Sequence, residues 1–546
     1  MRRWDSEVAW VASLTALVSI FSFLLYWRNG SLLLYGDAVA HINIARRVFD
    51  SRTPGPLQLG TVWLPLPHLA MMVFLVSDWT WQTGVGGSIP SLIAFVFGAV
   101  GIFRLVRSSL NWRSQPEPMA RIAAWLAVII YSANPSLVYL QTTAMTEPLY
   151  LAFFIWTVVH LNEFAQTNAL RDERDDPDAA SSLRKCGFYV AAACLTRYDG
   201  WLLAACVIAL AFIAIIRGNQ TRYLSREWKK LILVASAVPI LWLSYNGIIY
   251  RNPLEFANGP YSAKAIEQRS ANAGAAVHPG TNDLVVSGSY FLKAAETNLA
   301  VSGLQKLWIL LVLAGTALAL VFYSRFWPLL LLWLPFPFYA LSVAYGGVPI
   351  FVPDWWPFSF YNARYGLQLL PAFGVFVALL VYYLSEFAKN KIATVAIAIS
   401  AMLFVGLCYG QVWRAQPICF REAWINSRTR NALERELAGT LSKLPRDSTL
   451  LMYLGDHVGA VQQAGIPLRS VIYEGNHRTW KRPADPEGLW EKALADPSAY
   501  ADFVVAIEGD PVARAIQRQS LFPIAEIHAT GQPSAIVYTT RRSTPR

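Results

Sequence analysis

Long apolar runs separated by short polar turns dominate most of the chain. A helix crossing the hydrocarbon of a bilayer needs about 20 mostly apolar residues. Runs of this kind occupy 8–27, 86–107, 119–140, 147–166, 183–197, 201–217, 229–250, 303–323, 326–345, 363–384 and 391–412, so the pattern predicts about 11 transmembrane helices, with 183–197 the shortest. The first run follows Met1-Arg2-Arg3 and lacks a small-residue cleavage site after it, which predicts an uncleaved anchor. A further apolar stretch, 63–77, carries prolines at its start and is too short to span. It predicts a helix lying along the membrane surface or dipping into it.

Basic residues orient these runs. With the N-terminus in the cytoplasm, the short loops on the inner side hold Arg2 and Arg3, then Arg104, Arg107, Arg113 and Arg121, then Arg171, Arg174, Arg184 and Lys185. They are followed by Arg217, Arg222, Arg226, Lys229 and Lys230, by Arg325, and by Lys389 and Lys391. The outer loops are longer yet hold fewer, as the positive-inside rule requires. Passing 63–77 through the membrane would move the basic loop 104–121 outside. Two outer loops are long, 28–85 and 251–302, and a third, 346–362, is aromatic, with Phe351, Trp355, Trp356, Phe358, Phe360 and Tyr361. Long loops on one face suggest chemistry on that face.

After residue 412 the pattern changes. Charged residues return, and β-like runs appear at Thr449–Leu454, Arg469–Tyr473, Asp502–Ile507 and Ala535–Thr539, with helical stretches such as Pro486–Ala495 and Val512–Gln519 between them. The expectation is therefore an α-helical polytopic membrane protein, with a transmembrane domain over 1–412 and a soluble extracytoplasmic α/β domain over 413–546.

Composition supports that division. The chain is 55% hydrophobic and only 15% charged, against about 25% charged for soluble globular chains. The 21 Trp and 24 Tyr suit the two membrane interfaces. A net charge of +11 would suggest nucleic acid in a soluble protein, but here the basic residues sit between apolar runs, and topology accounts for them without a nucleic-acid partner. Cys186, Cys194, Cys206, Cys408 and Cys419 are odd in number and unpaired in spacing, which argues against a disulfide framework or a zinc site.

Four polar segments interrupt this background, each on the predicted outer side. In Gly36-Asp37-Ala38-Val39-Ala40-His41, a helix would put Asp37 and His41 one turn apart on one face. There Asp37 could take a proton from an attacking hydroxyl and His41 could orient it, although capping a surface helix would also explain the acid. Thr146-Glu147-Pro148 puts an acid at the membrane edge, where it is costly unless used or paired. A helix start with Thr146 as cap accounts for the same residues. Thr196-Arg197-Tyr198-Asp199-Gly200 interrupts an apolar stretch, as a mutual ion pair or as the lining of a polar cavity. Asn362-Ala363-Arg364-Tyr365-Gly366 opens a span with an arginine, whose planar fork suits a phosphate or ordinary lipid headgroups. Three acids and two arginines on one face say more together than any one of them. No Walker A loop, His-Glu-x-x-His motif or Gly-x-Ser-x-Gly elbow occurs. Outer-side carboxylates could hold a divalent ion, but no ligand spacing demands a metal, and no cofactor is otherwise indicated.

The order of these segments resembles the GT-C membrane glycosyltransferases, and among them the bacterial relatives of protein O-mannosyltransferases and of the aminoarabinose transferases that modify lipid A. The similarity covers roughly residues 8–385 and is carried by Gly36-Asp37, Met145-Thr146-Glu147-Pro148-Leu149, Arg197-Tyr198-Asp199-Gly200-Trp201, and Ala363-Arg364-Tyr365 with Pro371. The resemblance implies a GT-C-like catalytic domain in a bacterial inner membrane and a sugar donor on a polyprenyl phosphate. It also implies Asp37 as catalytic base, with Glu147 as the second acid. Relatives often carry two adjacent acids in the first loop, whereas Ala38 follows Asp37 here. Some also use a Lys-Pro-Pro element on the lipid phosphate; this chain has Leu64-Pro65-Leu66-Pro67-His68, where His68 alone could replace it in part.

These expectations combine into one reaction. Asp37 accepts the proton of a hydroxyl on a glycan, lipid or protein acceptor, and that hydroxyl displaces polyprenyl phosphate with inversion. Arg364, with Arg197, stabilises the leaving phosphate, while His41, His68, Asp199 and Tyr365 contact substrate or tune the acids. Two other readings use the same residues. A transporter or flippase of a lipid-linked sugar would explain buried Arg and Asp, though it needs neither long one-sided loops nor an outer domain, and no internal repeat is visible. A structural subunit of an envelope complex would leave the acids replaceable.

Overall fold

The protein is described from a computed structural model, over residues 6–110, 118–170, 177–217, 222–272, 274–322, 324–388, 390–476 and 486–540. Of the inner-loop basic residues, Arg2, Arg3, Arg113, Arg171, Arg174 and Lys389 lie outside the described residues. Among the described residues, eight helices are long and apolar enough to cross a membrane: Ser6–Arg28, Val85–Leu110, Glu147–Thr167, Asp199–Arg217, Ser225–Tyr250, Trp327–Tyr345, Ala363–Ala388 and Lys391–Leu441. Two shorter apolar helices, Pro118–Ser132 and Gln305–Val321, fall on other predicted spans. The run 183–197 falls on the helix Pro177–Cys194. Among the described residues every predicted apolar run is thus largely helical, and eight of the eleven fall on helices long and apolar enough to cross a membrane.

Local chemistry explains where two of the runs break or turn. The run 119–140 breaks at Asn134-Pro135. Pro135 cannot continue a hydrogen-bonded helix, and Asn134 restarts one at Pro135–Leu140, its Oδ1 accepting from Leu137 N at 3.0 Å. Its Nδ2 donates to the Asn298 carbonyl at 2.8 Å, so the break is also a tertiary anchor. The run 391–412 continues as the helix Lys391–Ala415, turns at Gln416, whose φ is 65°, and resumes past Pro417 as a helix over Ile418–Leu441. Composition gave no warning of this last helix, because its polar residues outnumber a spanning run's.

The chain divides into two compact units. The first comprises Met1–Asn29, Pro90–Trp242 and Ala257–Glu422. At its centre the helix Leu370–Ala388 is buried along nearly all its length. Gly315 of a neighbouring helix meets it so closely that a Cβ there would stand 2.0 Å from the Phe376 carbonyl oxygen, the small-residue contact typical of membrane helices. Peripheral helices turn apolar side chains outward, as with Leu17 and Phe21 on Ser6–Arg28.

The second unit comprises Gly30–Ile89, Leu243–Phe256 and Ala423–Arg546. Its sheet contains β1 (Leu450–Met452), β2 (Val471–Ile472), β3 (Phe503–Ile507), β4 (Phe522–Ile527) and β5 (Ala535–Thr539), in the order β2-β1-β3-β5-β4. β2, β1 and β3 are parallel; β5 runs antiparallel to β3 and forms an antiparallel pair with β4. The helices Leu489–Ala495 and Pro511–Ile516 cover the parallel half through Trp490, Ala493, Val512 and Ile516, against Leu451, Val504 and Ala506. β4 was not expected from sequence. Pro523 stands inside it, and proline is tolerated in a strand at an edge or a bulge; β4 is the edge, with its register shifting between Pro523 and Ala525.

The segment 30–89 is bound to this sheet domain by buried polar contacts. Asn43 Nδ2 donates to Gln462 Oε1 at 2.7 Å, Gln462 Nε2 to the Trp81 carbonyl at 2.7 Å, and Trp81 Nε1 to Asn43 Oδ1 at 3.0 Å, closing a ring across three helices. Asp50 pairs with both Arg46 and Arg469. The stretch 63–77 contains the eight-residue helix Pro65–Met72, which is too short to span and belongs to this unit.

Candidate active site

The first unit gathers five of the residues singled out in the sequence. Glu147 and Asp199 each begin a long helix, Glu147–Leu170 and Asp199–Arg217, where unpaired backbone N–H groups favour a carboxylate. Arg364 and Tyr365 sit on a 3-10 turn, Ala363–Leu369. Gly366 allows that turn to lie against the helix Leu284–Thr297: a Cβ there would stand 2.4 Å from Ala294 C and Ala295 N. Gly200 does the same between its helix and Ala193, with its would-be Cβ 2.6 Å from that residue's carbonyl.

These elements bring the charges into one network. Glu147 Oε1 accepts from Arg197 Nη1 at 3.2 Å and from Arg364 Nε at 3.1 Å. Arg364 Nη1 donates to Glu422 Oε1 at 2.9 Å, and Glu422 Oε2 accepts from Ala363 N at 2.7 Å. Arg197 Nη1 also donates to the Thr146 hydroxyl at 3.1 Å, and its Nη2 to the Tyr339 hydroxyl at 2.9 Å. Tyr339 donates to Asp199 Oδ2 at 3.4 Å, and Arg197 Nε lies 3.5 Å from Asp199 Oδ1. Both guanidinium groups stand 5.0 Å from the centre of the Tyr365 ring. Glu147, Asp199, Arg364 and Glu422 are buried, whereas the Arg197 side chain retains 16% exposure and marks the open side of the cluster.

Counted at formal charge, three carboxylates and two guanidinium groups sum to minus one. Burying such a set costs several kcal/mol per ion before mutual attraction offsets it. Glu147 Oε2 and Asp199 Oδ1 are buried without a hydrogen-bond partner among the described residues. These two oxygens can accept from a hydroxyl, while the guanidinium groups beside them favour an anion. Thr146 and Glu147 occupy the helix start that their local sequence predicts, and Glu147 is also a network member. Arg197 and Asp199 do form the expected pair, but as part of a larger whole.

Glu422 and Tyr339 were not expected. Glu422 lies beyond the last apolar run, where charges had become ordinary; its signal is a lone acid in the sequence Cys419-Phe420-Arg421-Glu422-Ala423, of which Cys419, Glu422 and Ala423 are buried. Tyr339 carries no signal within its apolar helix.

The remaining candidates lie in the second unit. Asp37 occupies the first turn of the helix Gly36–Arg47 and is half-buried. His41, one turn on, is buried with its Nδ1 2.9 Å from His68 Nε2, and its ring packs 4.6 Å from Trp63. Burial, and after it the neighbouring His41 and Arg47, hold His68 well below the ordinary histidine range, against a smaller opposing effect of the Leu64 carbonyl. The sequence suggested His41 as a partner for Asp37; the structure also gives it a histidine partner 27 residues away. Among the described residues, no three His, Cys, Asp or Glu side chains group to form a metal cluster.

No protein-family model matches the sequence, and a search of curated proteins returns no match. Solved structures do match. ArnT from Cupriavidus metallidurans bound to undecaprenyl phosphate superposes with a TM-score of 0.57 at 13% identity, over 100% of both chains. Its apo state gives 0.55 at 14% identity, over 99% of this chain and 100% of that one. The archaeal oligosaccharyltransferase AglB from Archaeoglobus fulgidus, in complex with an inhibitory peptide and a dolichol-phosphate, gives 0.50 at 13% identity, over 100% of this chain and 75% of that one. Carried over full length, this likeness gives the protein the GT-C fold, that of the membrane glycosyltransferases whose segment order it resembles.

Proposed function

We propose that this protein is a membrane glycosyltransferase that moves a sugar from a polyprenyl-phosphate carrier to an acceptor hydroxyl on the extracytoplasmic face, with inversion. The observation that carries the proposal is the buried network of Glu147, Arg197, Asp199, Arg364 and Glu422 at the helix ends of a GT-C fold. Its donor class follows from the undecaprenyl phosphate of ArnT and the dolichol-phosphate of AglB. In this reading Asp37 takes the hydroxyl proton as the oxygen attacks the anomeric carbon, and the carrier leaves as its phosphate. Arg197 and Arg364 stabilise the charge on that phosphate. Glu147 and Asp199 hold the acceptor. The N-terminus is cytoplasmic, and the sheet domain lies outside.

The test uses the reconstituted full chain and a polyprenyl phosphate carrying a radiolabelled sugar. Label should pass to an acceptor. Asp37→Asn should lower the rate at least 100-fold, within the range general bases contribute, while expression and insertion stay normal. Label crossing the bilayer without transfer would instead identify a flippase, and full activity of Asp37→Asn would remove Asp37 from the chemistry.

A further inference from the structure

His278 joins two loop segments of the first unit. It lies in the turn before the helix Leu284–Thr297 and is 3% exposed. Its ring stands 4.6 Å from that of Tyr290 and 5.2 Å from that of Phe351, centre to centre. Both ring nitrogens meet backbone. Gly280 N lies 2.9 Å from Nδ1, and the Ile350 carbonyl oxygen lies 2.9 Å from Nε2. These partners fix the tautomer. A backbone N–H only donates and a carbonyl only accepts, so Nδ1 carries the lone pair and Nε2 the hydrogen. The neutral ring satisfies both groups and the imidazolium does not, because a proton on Nδ1 faces the Gly280 N–H with no acceptor between them.

The bond to Ile350 grips the base of the aromatic loop 346–362. Phe351 N donates to the Tyr361 carbonyl at 2.8 Å, and Tyr361 N donates to that of Phe351 at 3.2 Å. Asn362, in the left-handed region at a φ of 56°, donates through Nδ2 to the Pro349 carbonyl at 2.9 Å. Residues 349–351 therefore set the path of 361–362, and Ala363 and Arg364 follow directly. On the other side of the ring the turn is tightly held. The Gly280 carbonyl accepts from the Ser287 hydroxyl at 2.7 Å, and a Cβ on Gly280 would overlap Ser287. Thr281 N donates to the His278 carbonyl at 3.0 Å. The turn has little room to yield while its bond to Nδ1 is kept.

The charges on the surrounding elements are engaged elsewhere. Asp283 accepts from Val285 N and Val286 N, both at 2.9 Å. Lys293 pairs with Asp354 at 2.9 Å, and the Tyr290 hydroxyl donates to the Trp356 carbonyl at 2.6 Å. Lys264 and Glu267, on the helix Ala263–Asn272, lie against Gly347. On the helix Pro335–Tyr345 the titratable groups are Tyr339, held in the ionic network, and the exposed Tyr345. Burial holds the His278 pKa below the ordinary histidine range, against a smaller opposing effect of the Ile350 carbonyl, and no side-chain charge adds to either. We propose that His278 is a proton-operated latch: protonation at Nδ1 releases the 278–280 turn from the base of the loop 346–362 and frees the segment that leads into Arg364. The latch is closed while the ring is neutral and opens as pH falls through the range beneath about 6.5. It goes beyond the transferase reading and does not rest on it.

Hydrogen exchange read by mass spectrometry, on the full chain in lipid nanodiscs at about pH 7.5 and about pH 5, tests the latch. Rates are expressed as protection factors, so that the pH dependence of intrinsic exchange cancels. Peptides covering 274–283 and 349–364 should lose protection at least 10-fold at the lower pH, while the buried helix Leu370–Ala388 keeps its own. His278→Asn does not titrate, and its side-chain oxygen can accept from Gly280 N in an Asx turn. In that variant the loss should shrink to less than two-fold. His278→Gln, also uncharged at both pH values, decides the matter if His278→Asn does not fold. Protection retained by either peptide in the parent, a loss shared equally by Leu370–Ala388, or an undiminished loss in a folded variant would overturn the latch.

Discussion

Replacing Arg364 by glutamine tests whether the buried charges act as one unit. Arg364 is 5% exposed and donates to Glu147 at 3.1 Å and Glu422 at 2.9 Å. Its loss leaves Glu147, Asp199 and Glu422 with Arg197 alone, a formal change from minus one to minus two. Removing one partner from a buried ion pair typically costs about 3–5 kcal/mol. Membrane proteins of this size commonly unfold irreversibly, so the readout is the half-life of the folded state in detergent at a fixed elevated temperature. If half of the loss appears in the unfolding rate, that half-life falls about 10- to 70-fold. Glu422→Gln, which moves the count to zero and leaves one amide oxygen for either Arg364 Nη1 or Ala363 N, should cost less. The double variant returns the count to minus one and should be more stable than the sum of the singles by about 0.5–3 kcal/mol, the coupling of residues that share a network. A half-life for Arg364→Gln within two-fold of the parent, or strictly additive losses, would refute the network.

Three further outcomes follow from particular contacts. Gly366→Ala should separate the 3-10 turn from the helix Leu284–Thr297, lowering both thermal stability and binding of a polyprenyl phosphate measured by fluorescence quenching; unchanged binding would mean the turn can relax without moving Arg364. His68 has a folded-state pKa depressed below its unfolded value, so its contribution is complete above about pH 6.5 and lost as pH falls through the range beneath it. The melting temperature should therefore decline between pH 7.5 and 5.5, with a shallower slope in His68→Gln; an identical slope would assign the decline elsewhere. Asp510 caps the helix Pro511–Ile516 by accepting from Ala513 N at 2.6 Å, and Asp510→Ala should cost about 0.5–2 kcal/mol, measured as a melting shift of the sheet domain by near-ultraviolet dichroism.

Arg364 and Glu422 also mark where reading the sequence stops. Arg364 was legible because a lone arginine opening an apolar span is expensive and therefore conspicuous. The same argument exposed Glu147, Arg197 and Asp199, and the structure joins all four in one unit. Glu422 was hidden because it follows the last span, in a stretch whose charges suit a surface helix. His68 was legible as a residue beside two prolines, but its pairing with His41 depends on how the helices Gly36–Arg47 and Pro65–Met72 pack. β4 was hidden because Pro523 argues against a strand unless the strand is an edge, and sheet order is a tertiary property.

The sequence alone determined that this chain belongs in a membrane, where its apolar segments lie, and that a charged stretch with short α and β segments follows them. Those properties depend on the length of apolar runs and on alternation, which each segment carries without reference to the others. Only the tertiary structure decided that 119–140 is two helices tied to Asn298, that Glu422 completes an ionic network with Arg364, and that His41 meets His68. Each of these depends on which backbones approach closely enough for a side chain to reach across, and close approach is set by the packing of whole elements rather than by neighbours in the chain.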